Sequence, residues 1–350
     1  MRSLALVLLA AACARPAAGP ASAAPPAADL ALPGERHLRN VRQLTFGGEN
    51  AEAYFSFDGK ELVFQAAPRG QPCDQEYVMR TDGSGVRQVS SGGGRVTCGY
   101  FFPDGSRILW SSTRGSGPEC PPRPDMTEGY VWALYDYQIY TSRPDGSDVR
   151  PLAPAPGSYN AEATISADGW IVFTSTRDGD LDLYKMRLDG SGLVRLTSTE
   201  GYDGGAFFSA DGKRIVYRAS RPATDAERAD YRSLLARRLV RPGRLEIYTM
   251  DADGSNVRQV TRLGAASFAP FFHPDGRRIV FASNVGDPAG RNFDLYLVND
   301  DGTGLERITT SDTFEGFPMF SPDGRQLVFA SNRNGGRPHE TNVFIADWVE

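Results

Sequence analysis

The chain has 350 residues, 40% of them hydrophobic, and 38 Lys and Arg against 43 Asp and Glu give a net charge of −5 at pH 7. Residues of both signs are interspersed, so no basic patch favours nucleic acid, and we expect no nucleic-acid partner. Length alone suggests two domains, but an internal repeat, described below, predicts one folded unit.

The N-terminus resembles an export signal. A basic start is followed by an apolar run from Leu4 to Ala12, too short to span a bilayer. Residues 10–13, Ala-Ala-Ala-Cys, resemble a bacterial lipobox, although Ala10 stands where Leu is usual. We therefore predict a signal peptide over residues 1–13 with Cys13 as the lipidated residue. Ordinary signal-peptidase cleavage, after Ala14 or within residues 21–24, is the alternative.

Residues 14–38 are rich in Ala and Pro and predict a disordered tether. The leader and tether together predict an exported protein of the periplasm or outer membrane. Its contact with a membrane would be the lipid anchor alone.

A motif of the form Phe-Ser-Pro-Asp-Gly, followed by a short β-branched run, recurs through the rest of the chain. Spacings of 46, 64, 43, 64 and 48 residues indicate a unit of about 45 residues with two insertions of about 20. The six Asp-Gly pairs are Asp58-Gly59, Asp104-Gly105, Asp168-Gly169, Asp211-Gly212, Asp275-Gly276 and Asp323-Gly324.

Each repeat predicts four short antiparallel strands. The first ends at the Asp-Gly turn, the second follows at once, and a second Asp-Gly turn separates the aromatic third strand from the fourth. Such a sheet, repeated six times, predicts an all-β six-bladed β-propeller over residues 39–350.

The last repeat lacks its fourth strand, and the N-terminal segment supplies one. Asn40-Val41-Arg42-Gln43-Leu44-Thr45 is nearly identical to Asn256-Val257-Arg258-Gln259-Val260-Thr261, which is a fourth strand. We therefore predict that residues 40–45 complete the last blade and close the ring, leaving no exposed edge.

Both insertions are predicted on one face. The Asp-Gly turns define a turn face, and the second-to-third loops with the blade-to-blade connectors define the opposite loop face. Residues 115–137 of blade two are rich in Pro and aromatic residues. Residues 221–243 of blade four predict a helix, because Thr224 and Glu227 form a capping box before an apolar stripe. The helix would either pack on the rim or cover a pocket.

Polar residues at two positions of the inner strands suggest a site at the mouth of the central channel. Their carboxylates predict an acidic funnel suited to a cation, an amine or a basic peptide. Arginines that follow the second strands would instead make these residues structural ion pairs. The candidate binding residues are Asn50, Glu52, Asn160, Glu162, Asp203 and Glu315.

Three further cysteines fall on the loop face. In an exported protein the simplest arrangement is one disulfide and one thiol. We predict that Cys73 pairs with Cys120, which lies in the corresponding loop of the next blade, and that Cys98 stays unpaired. Three unpaired thiols are the alternative.

The repeat resembles that of the TolB-type propellers, also called PD40 or WD40-like, on landmarks such as Phe320-Ser321-Pro322-Asp323-Gly324 and Asp182-Leu183-Tyr184. The resemblance covers residues 40–350 and implies a six-bladed fold and a periplasmic propeller whose loop face or channel mouth docks a partner. The α/β domain that precedes the TolB propeller does not fit into residues 14–39, which leaves a TolB role by descent doubtful.

We expect a non-catalytic monomer without cofactor or metal that binds a protein or peptide of the cell envelope. No G-x-S-x-G nucleophile motif is present. Oligogalacturonate lyases use a similar propeller with a His-rich metal site, whereas this chain has three His. The alternatives are a polysaccharide lyase or hydrolase that uses Glu52 and Glu162, or an accessory to a peptidase or transporter.

Overall fold

The computed structural model describes residues 29–91, 93–337 and 340–350. Its architecture confirms the predicted propeller: six four-stranded antiparallel sheets follow one another along the chain, with a single α-helix. The predicted lipidation site Cys13 lies outside the described residues.

The blades are assembled as the repeat predicts, each from its inner to its outer strand. Blade one contains β2 (Glu49–Phe55), β3 (Glu61–Ala67), β4 (Gln75–Arg80) and β5 (Arg87–Gln88). Blade two contains β6 (Val96–Phe101), β7 (Ile108–Ser112), β9 (Gln138–Ser142) and β10 (Arg150–Pro151). Blade three contains β11 (Asn160–Ile165), β12 (Trp170–Ser175), β13 (Asp182–Arg187) and β14 (Val194–Arg195). Blade four contains β15 (Asp203–Phe208), β16 (Arg214–Ala219), β18 (Glu246–Asp251) and β19 (Arg258–Gln259). Blade five contains β20 (Ser267–Phe272), β21 (Arg278–Ser283), β22 (Asp294–Asn299) and β23 (Glu306–Arg307). Blade six contains β24 (Glu315–Phe320), β25 (Gln326–Ser331), β26 (Asn342–Trp348) and the N-terminal strand β1 (Leu38–Gln43). The insertions contribute a 3-10 turn (Arg114–Ser116), β8 (Trp132–Ala133), α1 (Asp225–Ala236) and β17 (Leu239–Val240).

The repeated motif forms its hairpin through side chains as well as through glycine. In blade six the Ser321 hydroxyl donates to the Asp323 carboxylate (2.6 Å) and accepts the Gln326 N–H (2.9 Å). Gly324 has a φ of 71°, a left-handed conformation that a Cβ disfavours. The motif therefore specifies a tight turn between the first two strands of each blade.

The ring closes as predicted. Strand β1 pairs antiparallel with β26, with Arg42 opposite Ile345 and Gln43 opposite Phe344. Leu38 and Val41 are fully buried against the last blade. The N-terminal strand thus supplies the outer edge of the sheet that the C-terminus begins.

Part of the segment that we assigned to the tether is folded. The Asp29 carboxylate accepts the backbone N–H groups of Asn40 and Val41, at 3.0 and 2.8 Å. Glu35 is buried and forms an ion pair with Arg333 of blade six (2.6 Å). Residues 29–37 therefore pack on the propeller, because a buried arginine provides a partner that their composition does not reveal.

The core lies between the blades and is built from the middle strands. Their aliphatic and aromatic residues are almost completely buried, including Trp110, Phe173, Tyr217, Phe281 and Phe329. Each blade therefore packs face to face with its neighbours and leaves the inner-strand ends free to line the channel.

Candidate functional site

The two insertions meet on the loop face. Strand β17 of the blade-four insertion pairs with β8 of the blade-two insertion, with Leu239 opposite Ala133 and Val240 opposite Trp132. The predicted helix is confirmed as α1, and its capping box between Thr224 and Glu227 is complete. The insertions of two non-adjacent blades therefore form one small sheet across blade three.

Helix α1 packs on the rim of the propeller. Tyr231 and Leu234 are its buried residues, and the Tyr231 hydroxyl donates to Asp180 of blade three. The strand that follows reaches the channel, because Val240 and Trp132 line its cavity. Of the two roles considered for the helix, the structure shows packing on the rim; no residue of α1 lines the cavity, and β17 forms part of its wall.

A cavity of about 1330 Å³ opens on the loop face, and residues from all six blades and both insertions line it. Ligand pockets for small molecules are usually about 300–1,000 Å³. This cavity, called the funnel cavity below, is therefore large enough for a segment of a macromolecule.

A β-bulge interrupts each inner strand at the same place and turns one side chain towards the funnel cavity. The six residues have φ between 49° and 58°, and all six line the cavity. Bulges re-aim side chains next to functional sites, and left-handed non-glycine residues are uncommon. In blade order this bulge ring is Glu52, Cys98, Glu162, Gly205, Ala269 and Phe317.

The six predicted binding residues divide between two environments. Glu52 and Glu162 belong to the bulge ring and line the funnel cavity. Asn50 also lines it, but its amide donates to the Gly47 and Thr341 carbonyls, at 2.9 and 3.0 Å.

The other three predicted residues are buried inside their blades and bind arginines there. Asn160 accepts from Arg177 (2.8 Å), Asp203 from Arg221 (2.6 Å) and Glu315 from Arg333 (2.7 Å). These contacts favour the structural interpretation for this set, and Glu52 and Glu162 are the predicted carboxylates that line the cavity.

Glu162 is held by a network that the sequence reading missed. Its carboxylate pairs with the buried Arg218 and accepts from the Tyr202 hydroxyl (2.7 Å), the Thr174 hydroxyl (2.6 Å) and the Gly205 N–H (2.9 Å). With its charge compensated and its oxygens occupied, Glu162 has little capacity left for a ligand.

One signal for Arg218 was present in the repeat. The corresponding position of the other second strands is Gln65, Ser111, Thr174, Ala282 or Ala330, so an arginine is exceptional there. A Cβ at Gly205 would overlap the Arg218 guanidinium, and one at Gly204 would press on Glu162 and Tyr202. The adjacent glycines of blade four thus leave the space in which the ion pair forms.

Glu52 is the carboxylate of the bulge ring without an arginine partner. Among the residues that the structure describes, no cation forms a salt bridge with it, and its neighbour is the Cys98 thiol. Burial, rather than the more distant charges of Glu162 and Arg218, is the main cause that raises the pKa of Glu52 to about 7.

The opposite part of the funnel cavity is aromatic. Phe268, Phe293, Phe314 and Phe317 of blades five and six pack on one another, with centroid distances from 5.1 to 6.4 Å. Three of them are only half-buried, and all four line the cavity. We call this group the phenylalanine wall; the sequence reading missed it because two of its members come from connecting segments.

The funnel cavity is mixed in charge, and the acidic funnel expected from the sequence is not formed. Asp203 and Glu315 do not reach the cavity, and arginines from several loops do. The carboxylates of its described lining are Glu49, Glu52, Asp74 and Glu162, and the arginines are Arg95, Arg123, Arg218, Arg241 and Arg291.

The three described cysteines are thiols in the structure. Cys73 and Cys120 are neighbours, and burial, followed by the hydrogen bond with Cys120, raises the pKa of Cys73 to about 12. Cys98 is buried in the bulge ring. The disulfide between Cys73 and Cys120 stays a prediction for the oxidised protein.

Within the described ranges, no group of three or more His, Cys, Asp or Glu residues is arranged to hold a metal ion. In the same part of the chain, no helix has the length and apolar character needed to cross a membrane.

No protein-family model matches the chain. It is 28% identical over 123 residues to an uncharacterized protein of Agrobacterium fabrum, covering 35% of each chain. It is 29% identical over 148 residues to a TolB homologue of Chlorobium luteolum, covering 36% of this chain and 34% of the homologue. The matches thus span about a third of the length of these relatives.

Solved structures show the same fold over most of the chain. A TolB-type structure from Agrobacterium tumefaciens matches 87% of this chain and 91% of its own, with a TM-score of 0.56 and 21% identity. TolB of Acinetobacter baumannii matches 87% of this chain and 64% of its own, with a TM-score of 0.55 and 18% identity. An oligogalacturonate lyase in complex with manganese matches 89% of this chain and 94% of its own, with a TM-score of 0.53 and 16% identity. These identities establish the fold alone.

Proposed function

We propose that this chain, a TolB-like six-bladed β-propeller, is an exported binding protein of the cell envelope that takes a segment of a protein partner into its funnel cavity. The observation that carries the proposal is the size and lining of that cavity. It exceeds the usual volume of a small-molecule pocket, and its wall combines aromatic surface with arginines and other polar groups. Such a lining is typical of protein-binding sites.

Photo-crosslinking tests the proposal. Met126 is exposed at the funnel cavity, and Val257 is similarly exposed but lies just before the outer strand β19. A photo-crosslinking phenylalanine analogue at either position should be tolerated. We expect protein adducts of defined mass from intact envelopes at position 126 and none at position 257. Equal labelling at both positions, or none at 126, would contradict the proposal.

Export and lipid anchoring are part of the same proposal. Their support is the leader of residues 1–13 with Cys13 at its end. Cys13→Ser should move the protein from the membrane to the soluble fraction of fractionated cells, because the lipid is its predicted membrane contact. A variant that sediments with membranes as the natural chain does would argue against lipidation.

Acid–base catalysis on a polysaccharide is a second candidate function, favoured by one observation. A carboxyl group with a pKa of about 7, as burial gives Glu52, has the range that a general acid needs. Incubation with oligogalacturonate and neutral oligosaccharides, followed by mass spectrometry, would detect products. Products that disappear with Glu52→Gln would favour the enzyme; unchanged substrates would leave binding as the proposed function.

A further inference from the structure

The two sides of the funnel cavity differ in chemistry, and this difference indicates what kind of segment it binds. Blades one to three contribute Glu52, Cys98 and Glu162 to the bulge ring, whereas blades four to six contribute Gly205, Ala269 and Phe317. The ring is therefore polar on one half and small or aromatic on the other.

On the polar half, one carboxylate is available. Glu162 is compensated by Arg218, and Asp74 by Arg95 (2.9 Å). Among described residues, Glu52 has no salt-bridge partner, whereas the side-chain oxygen of Gln65, which also lines the cavity, already accepts the Thr97 hydroxyl (2.7 Å) and the Cys98 N–H (3.4 Å). An ammonium group has three donors and would donate to the Glu52 carboxylate.

On the other half, the phenylalanine wall exposes aromatic surface inside the cavity. Phe317 follows Glu52 around the ring, because blades six and one are neighbours through the closing strand. A ligand that places a cation at Glu52 therefore has apolar surface within reach of its next group. Removing that surface from water would contribute to affinity.

The rim disfavours a ligand with many positive charges. Arg123 and Arg291 line the cavity towards the loop segments and have no salt-bridge partner among the described residues, whereas Arg241 pairs with Asp230 (3.4 Å). Glu49 is a carboxylate of the same cavity lining. A polybasic segment would meet like charges at this level, which costs affinity and so adds specificity.

From these contacts we infer that the funnel cavity recognises a protein segment that presents one primary ammonium group to Glu52 and a large apolar side chain to the phenylalanine wall. The inference rests on the proposed function and names the chemistry of the segment. The ammonium group belongs to a lysine side chain or to a free N-terminus.

Calorimetric titration with short amidated peptides tests the inference. The probes are acetyl-Gly-Lys-Phe-Gly, its norleucine version, its Ala-for-Phe version and an unacetylated Phe-Gly-Gly peptide. We expect the lysine or the free-amine peptide to bind about tenfold more tightly than the norleucine peptide, the effect of one charge-assisted hydrogen bond. Which of the two binds identifies the source of the ammonium.

Two variants assign the preference to residues. In Glu52→Gln the tenfold preference should disappear, whereas Glu61→Gln, which removes a carboxylate from the turn face, should retain it. In Phe317→Ala the peptide with Phe should lose its advantage over the peptide with Ala. Melting curves of all variants check that each is folded.

The pH dependence gives an independent readout. The lysine peptide, which stays cationic throughout, should bind more tightly as pH rises from about 6 to about 8, because Glu52 loses its proton in that range, and the norleucine peptide should not. The titratable and charged groups that act on Glu52 are Tyr54, Asp74, Glu76, Cys98, Glu162 and Arg218. Loss of the pH effect in Glu52→Gln would assign it to this carboxyl group.

The inference fails if the norleucine peptide binds as tightly as the cationic ones, if the preference persists in Glu52→Gln, or if none of the peptides binds at about 1 mM. The crosslinking experiment separates this failure from that of the proposed function. Adducts at position 126 without a preference for cationic peptides would retain the funnel cavity as a binding site and reject the ammonium chemistry.

Discussion

Glu52 is half-buried at the funnel cavity, in a position where its charge is poorly compensated, and this arrangement costs stability. A carboxyl group whose folded pKa is raised to about 7 holds its proton more tightly in the folded state than in the unfolded chain, where a Glu titrates near 4.3. The contribution of Glu52 to the free energy of unfolding therefore becomes unfavourable to the folded state as pH rises from about 4.5 to about 7, and it is constant above that range.

We predict that Glu52→Gln stabilises the protein at about pH 8, by roughly 1–3 kcal/mol, because the amide needs no deprotonation. Chemical unfolding at about pH 5 and pH 8 measures the effect, and the difference from the natural chain should shrink at the lower pH. Glu61→Gln, which loses a half-exposed pair with Arg87, is the control and should change stability little. A variant less stable at both pH values would contradict this account.

The same residue would then bind a ligand and weaken the fold, a relation found often at functional sites. Asp203 and Glu315, which are buried carboxylates, have arginine partners instead. Residue identity does not separate these cases; the presence of a compensating cation does.

The blade-four insertion lies outside the sheets of the six blades and rests on blade three and on the other insertion. Its helix α1 is capped at Thr224, buries Leu234, and is followed by the strand that pairs with β8. The six blades have separate sheets, and none of them includes a strand of this insertion. The insertion should therefore open locally without unfolding the propeller.

We predict that Leu234→Ser loosens both insertions, because a buried leucine contributes about 2–5 kcal/mol and β17 is anchored through α1. Limited proteolysis should cut faster within residues 115–137 and 221–243, while the main melting transition changes little. Ala236→Ser, at an exposed position of the same helix, is the matched control. Equal proteolysis of the two variants, or a large fall in the melting temperature, would show that the insertion is part of the main folding unit.

The whole molecule depends on the contact between its two ends. Strand β1 covers the outer edge of blade six and buries Leu38, Val41 and Leu44. Glu35 adds a buried ion pair with Arg333, which also binds Glu315. A ring closed in this way has no free edge between its first and last blades.

We predict that deletion of residues 38–46 destabilises the entire propeller. The three buried side chains are each worth roughly 1.5–3 kcal/mol, a sum comparable with the usual stability of a domain, about 5–15 kcal/mol. The melting temperature measures the loss. Arg36→Ala with Arg39→Ala, at exposed positions of the same segment, should have little effect. Unchanged melting after the deletion would refute closure by this strand.

Much of the fold was accessible from the sequence because its causes are local. Asp-Gly turns, alternating apolar runs and the likeness of residues 40–45 to a fourth strand act within a few residues, and they predicted the blade count and the closure. The boundary of the tether was less accessible, because Glu35 is ordered by an arginine almost 300 positions away.

For the site, the repeat placed Glu52 and Glu162 at corresponding positions of two inner strands, and only the tertiary structure decided what they do. Glu162 is the bulge residue of blade three and Asp203 lies two positions before the bulge residue of blade four, and the first side chain lines the cavity whereas the second is buried in its blade. Arg218 compensates Glu162 across 56 positions, through space left by two glycines. The sequence alone determines the closed ring of six blades, because turns and strand periodicity are short-range. The free carboxylate of Glu52 and the phenylalanine wall depend on which side chains meet across blades, and packing decides that.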